Sequence, residues 1–198
     1  MAYESFKIEQ LQELFDVTMV QTDDDYGHIA PIAPTDLLIG VLERGRPLVV
    51  GQTSEKARSE FLVAQVLLEM RAVATNKVVI FSGIKFDVDK AAGLFGYCDF
   101  LVSRDAIVDA IQAPVLFVTE AKKEDLSAGV PQCIAEMIAA ERFNERRKKP
   151  IETIYGAVTD GTRWRFLSLS GKTVKIDGRE YTITELPHIL GILVFMVS

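Results

Sequence analysis

The chain has 198 residues, a net charge of −6, and hydrophobic and charged fractions of 48% and 25%. That is enough for one well-buried core of ordinary globular balance, and no run reaches the roughly 18 apolar residues of a membrane span. The acidic balance argues against gripping nucleic acid over a broad face, because such affinity comes mainly from Lys and Arg neutralising phosphates.

Glu4 to Met19 places Leu11, Leu14, Phe15 and Val17 at near-helical spacing, which predicts an amphipathic helix. Gln21 to Pro34, with Asp23-Asp24-Asp25, is expected as a solvated loop, and Thr35-Asp36 caps a short helix through about Glu43, ended by Gly45. Thr53-Ser54-Glu55 opens a long helix through about Ala74. At about 100° per residue, Lys56, Ala57, Glu60, Val63, Ala64, Leu67, Leu68 and Arg71 share one side of it. Glu60 thus falls in an apolar stripe, where an acid must be paired, hydrogen-bonded or metal-bound. Glu55, with Arg58, Gln65 and Glu69, falls on the opposite, solvated side.

Strands are predicted over Lys77 to Phe81, Gly96 to Ser103 and Pro114 to Lys122. Pro131 suits the first turn of a second long helix through about Arg147, on which Gln132, Ala135, Glu136, Ala139 and Phe143 share a face. Its alanines would let it approach a sheet closely, bringing Gln132 and Glu136 near the strand ends. Arg146-Arg147-Lys148-Lys149 reads as favourable charge at the helix C-terminus or as a local basic rim. Ile154 to Thr159 and Trp164 to Leu169 form a hairpin about Asp160-Gly161, with a type I′ turn expected. Asp177-Gly178 repeats the device before Tyr181-Thr182-Ile183. Leu186 to Val197 is apolar enough either to finish the core or to seal a homodimer interface.

The chemistry concentrates at Asp99 and at Glu120-Ala121-Lys122. Side chains alternate along a strand, so Glu120 and Lys122 point the same way. With Asp99 at the end of the neighbouring strand, two carboxylates and one ammonium converge. Such oxygens suit Mg²⁺, and the cluster suits metal-assisted phosphodiester hydrolysis. The plainer alternative is a solvated charged loop from Thr119 to Asp125. Cys98 and Cys133 lie in apolar segments, which points to a reduced, cytoplasmic setting, and neither has an evident histidine partner among His28 and His188.

Taken in order, a helix with Glu60, a strand with Asp99, a strand with Glu120-x-Lys122, a helix with Gln132 and then a hairpin resemble the PD-(D/E)xK nuclease superfamily. The block Gly156-Ala-Val-Thr-Asp-Gly-Thr-Arg-Trp164 is similar to a hairpin in the nuclease domains of type I restriction subunits and of small stand-alone bacterial relatives. Cys98 stands where the superfamily's name has proline. The resemblance covers roughly residues 54 to 169 of a single domain, 1–198, with residues 1–50 an N-terminal helical extension. It implies an α/β, restriction-endonuclease-like fold: a mixed central sheet flanked by helices, with a C-terminal β-hairpin region. It also implies DNA phosphodiester hydrolysis with Mg²⁺ or Mn²⁺ held by Asp99, Glu120 and Glu60 and the Ala121 carbonyl. Lys122 would be the catalytic lysine, with Gln132 and Glu136 toward substrate. DNA is the implied partner, with a further subunit for its recognition. The alternative is a catalytically silent nucleic-acid-binding or scaffold subunit of the same fold.

Overall fold

β-Branched and aromatic runs separated by turn residues pair into one mixed sheet. The computed structural model describes residues 2–49, 54–104, 109–122 and 125–198. Among these, the strands are β1 (Thr18–Thr22), β2 (Val79–Lys85), β3 (Tyr97–Ser103), β4 (Val115–Ala121), β5 (Ile154–Thr159), β6 (Arg163–Ser170), β7 (Thr173–Asp177) and β8 (Tyr181–Thr182). Their order across the sheet is β1-β7-β6-β5-β4-β3-β2, with β8 added to β6. The β4–β5 and β1–β7 pairs are parallel and the others antiparallel.

Helices cover both faces, as expected for a mixed sheet flanked by helices. On one side α1 (Ile8–Phe15) and α5 (Leu126–Arg146) pack on Leu101, Val118, Val158 and Leu167. On the other, α2 (Asp36–Val49), α3 (Glu55–Arg58), α4 (Ala64–Val73) and α6 (Leu186–Met196) cover Phe100, Phe117, Trp164 and Phe166. The interior strand β4 is buried at every position, which is why its first four residues, Val115 to Val118, read as a continuous apolar run rather than an alternation. No helix among the described residues is long and apolar enough to cross a membrane.

Several local expectations change. The predicted helix over Glu4 to Met19 is shorter, and Thr18–Thr22 becomes an edge strand because β7 offers it a parallel partner. Thr35 caps α2 as expected, its hydroxyl accepting the Leu38 N–H at 3.3 Å. The helix nevertheless runs on through Gly45, where a Cβ would stand 2.7 Å from the Phe61 carbonyl oxygen. Gly45 is thus a packing glycine rather than a terminator. Thr53 lies outside the described residues, and Ser54 caps α3 by accepting the Ala57 N–H.

Helix α5 begins before Pro131, capped by the Asp125 carboxylate on the Ser127 N–H at 2.9 Å. At the Asp160-Gly161 turn only Gly161 has positive φ, at 83°, so the turn is not type I′. The Asp160 carboxylate accepts the Thr162 and Arg163 N–H groups at 2.8 Å each and holds the turn itself. At the second Asp-Gly pair, Gly178 has an ordinary φ; a Cβ there would meet the Thr22 carbonyl oxygen of β1 at 2.4 Å.

The apolar tail is α6, with Ile189, Leu190, Ile192 and Leu193 fully buried. It finishes the core, the first of the two expected roles. Exposed large apolar side chains include Leu37, Leu48, Phe61 and Leu68 along α2 and the α3–α4 rod, and Phe195 on α6.

Candidate active site

The β3–β4 ladder ends at the Phe100–Thr119 pair. One step beyond, the Asp99 carboxylate takes the place of a backbone acceptor: its Oδ2 accepts the Ala121 N–H at 2.8 Å. The Lys122 N–H then donates to the Thr159 carbonyl of β5 at 2.7 Å, so both neighbouring strands fix the end of β4. Asp99 and the Glu120-Lys122 pair are therefore brought together at one end of the sheet, as their spacing suggested.

Glu120 is buried and both its oxygens are engaged. Lys122 Nζ lies 2.6 Å from Oε1, and Gln132 Nε2 donates to Oε2 at 2.8 Å. Gln132 also accepts from Lys122 Nζ at 3.2 Å and donates to Glu136 Oε1 at 3.2 Å. The amide thus ties the lysine and two carboxylates into one network. It sits there because α5 crosses β4 and β5 closely at Gly129, where a Cβ would lie 2.7 Å from Val158 Cγ1 and 2.9 Å from Lys122 Cγ.

Glu136 has no exposed surface, and its polar partners are the Gln132 amide and the buried Cys98 thiol. The structure places it beneath the site, against Gln132, rather than toward substrate.

The helix acid needs a correction. Glu60 is not in a buried stripe: its side chain is 52% exposed and pairs with Lys56 at 2.9 Å. The reason is a π-helical turn at Ser59–Val63, joining α3 to α4. A π turn takes more residues per turn than an α turn, so a constant 100° step loses phase across it. Leu62 and Val63 carry the burial instead.

Glu55, expected on the solvated side, is the helix acid whose charge acts on Asp99, Glu120 and Lys122. Glu55, Glu60, Asp99 and Ala121 all line one open cavity of about 300 Å³, with Lys56, Ser59, Ser82 and Gly83. The signal for Glu55 was available in the Ser54 cap, which puts the next residue in the first turn of a helix facing the strand ends. Arg58 anchors that helix, its Nη1 donating to the Asp160 carbonyl at 3.2 Å.

Burial first, and Glu55 after it, hold the Asp99 carboxyl above its usual range despite the Ala121 N–H and Lys122. Burial and then the Asp99 charge push Glu120 up to about 8. Glu136 is driven well above the carboxylate range by burial and by Glu120. Burial disfavours the Lys122 ammonium, but Glu120 outweighs it and raises the amine. The cluster is thus short of positive charge, and its donors are hard oxygens, the chemistry that suits Mg²⁺ or Mn²⁺. As the side chains stand, no three acids, cysteines or histidines among the described residues are placed to hold an ion together.

Cys98 and Cys133 are buried, and burial, then Glu136, lifts both thiols, so neither is an accessible thiolate nucleophile. The basic run at the end of α5 is no rim to this site. Arg146 follows Gln132 by fourteen residues on one helix, roughly 21 Å at about 1.5 Å per residue. Arg142 and Arg146 instead hold Asp89, at 3.0 and 2.9 Å. A separate cavity of about 540 Å³ is lined by residues such as Tyr26, Tyr155, Ser168 and Lys175 and includes none of these acids. The chain matches no protein-family model, and no curated protein matches it in sequence.

Proposed function

We propose that the protein is a divalent-metal-dependent DNA phosphodiester hydrolase of the restriction-endonuclease-like kind. The observation that carries this reading is the meeting of Asp99, Glu120 and Lys122 at one strand end, beside an open cavity that Glu55 also lines. Asp99 and Glu120 would hold the ion, with Glu55 or Glu60 as the helix acid. A bound Mg²⁺ would supply Lewis-acid activation of the phosphate and of a water.

The protein's own contribution is positional. Lys122 presents a cation where negative charge develops on the phosphate oxygens, and a preorganised charge costs no rearrangement at the moment of reaction. Gln132 orients both Lys122 and Glu120 through its single amide. Asp99 is held by the Ala121 N–H in a fixed position at the edge of the cavity.

The test is cleavage of plasmid and single-stranded DNA with Mg²⁺ and with Mn²⁺. Cleavage should require the metal and be lost in Asp99→Ala and Lys122→Ala. A folded Lys122→Ala protein that cleaves as fast as the parent would remove the lysine from the mechanism.

A second reading is a silent nucleic-acid-binding or scaffold subunit. It is favoured by the internal satisfaction of both Glu120 oxygens and by the net charge of −6. Metal binding without cleavage of any duplex, branched or single-stranded DNA would select it. In either reading the acidic charge favours a partner subunit that brings the DNA, in a cytoplasmic setting.

A further inference from the structure

We propose that Lys122 is the resident cation of the resting site, and that a divalent ion enters by exchanging with it at the Glu120 carboxylate. This rests on the metal-dependent reading above.

Glu120 is 2% exposed, and each of its oxygens has a partner. The ammonium is held at two points, Glu120 Oε1 at 2.6 Å and Gln132 Oε1 at 3.2 Å. A hard divalent ion binds carboxylate oxygen at about 2.1 Å. It cannot take Oε1 while an ammonium sits against the same atom, both for space and because two cations so close repel strongly.

Oε2 offers no easier entry. It is occupied by Gln132 Nε2, whose amide is oriented by donation to Glu136 and acceptance from Lys122. Turning that amide over would set its oxygen against Glu120 and its NH₂ against the Lys122 ammonium. Of the two partners, Lys122 is the one with the long flexible side chain, which is 20% exposed.

The stem of Lys122 is confined by α5 at Gly129, so the exchange moves the ammonium more than the backbone. The backbone N–H stays on Thr159. The released ammonium is then free to meet a water or a phosphate oxygen. The lysine is available for chemistry only when the ion has replaced it, which couples the two halves of the site.

The experiment is lysine labelling by reductive methylation without DNA, read by mass spectrometry at Lys122, with and without saturating Mn²⁺. Mn²⁺ binding is followed in the same samples by electron paramagnetic resonance. Lys175, on β7 and away from the site, is the internal reference. The labelling rate of Lys122 should rise severalfold on Mn²⁺ binding while that of Lys175 does not change, and Asp99→Asn should lose both the bound Mn²⁺ and the response. Mn²⁺ binding with an unchanged or slower rate at Lys122 overturns the exchange and leaves the metal-dependent function standing. A response that persists in Asp99→Asn also overturns it, because the ion would then be acting elsewhere. Failure of the parent protein to bind Mn²⁺ overturns the metal-dependent reading itself.

Discussion

Gln132→Glu replaces the double donor at the centre of the network with an acceptor of nearly the same shape. In the parent, Nε2 donates to Glu120 Oε2 at 2.8 Å and to Glu136 Oε1 at 3.2 Å. Hydrogen bonds to charged groups contribute roughly 1.5–3 kcal/mol. A new carboxylate about 3 Å from Glu120 adds about 5 kcal/mol of repulsion at an effective dielectric near 20. Lys122, 3.2 Å from the Gln132 oxygen, offsets a comparable amount. The net expectation is a loss of about 3–5 kcal/mol at pH 8. The new carboxyl can instead keep its proton, so its folded-state pKa is raised above the unfolded value of about 4.3. A raised acid destabilises the fold only above the unfolded pKa, and the loss grows as pH rises toward the folded value. Urea denaturation should therefore show a deficit of about 1 kcal/mol at pH 5 and the full deficit at pH 8. Equal deficits at the two pH values, or none at pH 8, would refute the network as described.

Glu120 itself, pushed up to about 8 by burial and Asp99, binds its proton more tightly folded than unfolded. Metal-free stability of the parent should fall as pH rises from about 4.5 to 8, and Glu120→Gln should flatten that slope in the same denaturation experiment. Gly156→Val should destabilise the fold by about 1–3 kcal/mol or more, read by thermal unfolding. Even a Cβ at that position would lie 2.6 Å from Met137 Sδ and 2.8 Å from Cys133 Sγ, where α5 meets β5. Glu55→Ala should weaken metal-dependent cleavage more than Glu60→Ala, because Glu55 is the acid whose charge acts on Asp99 and Glu120. The reverse order in a plasmid-cleavage assay would restore Glu60 as the helix acid.

The sequence alone determined the parts whose signals are local. Val115 to Val118 is an unbroken apolar run before Glu120, and burial on both faces of a strand is what such a run requires. The parity of Glu120 and Lys122 put them on one side, and the carboxylate and ammonium meet there. Ser54 and Thr35 cap helices because their hydroxyls reach N–H groups in the next turn. Tertiary structure decided what depends on a partner distant in sequence. Thr18–Thr22 is extended because β7 lies beside it, and α6 is a core helix because the sheet leaves that face to be filled. The π turn at Ser59–Val63 left Glu60 outside the buried stripe, and no periodicity count carries phase across such an insertion. The burial of Glu136 follows from the close approach of α5 at Gly129 and Gly156. A glycine read along the chain looks like a breaker, and only the facing side chains show that it is the point of contact.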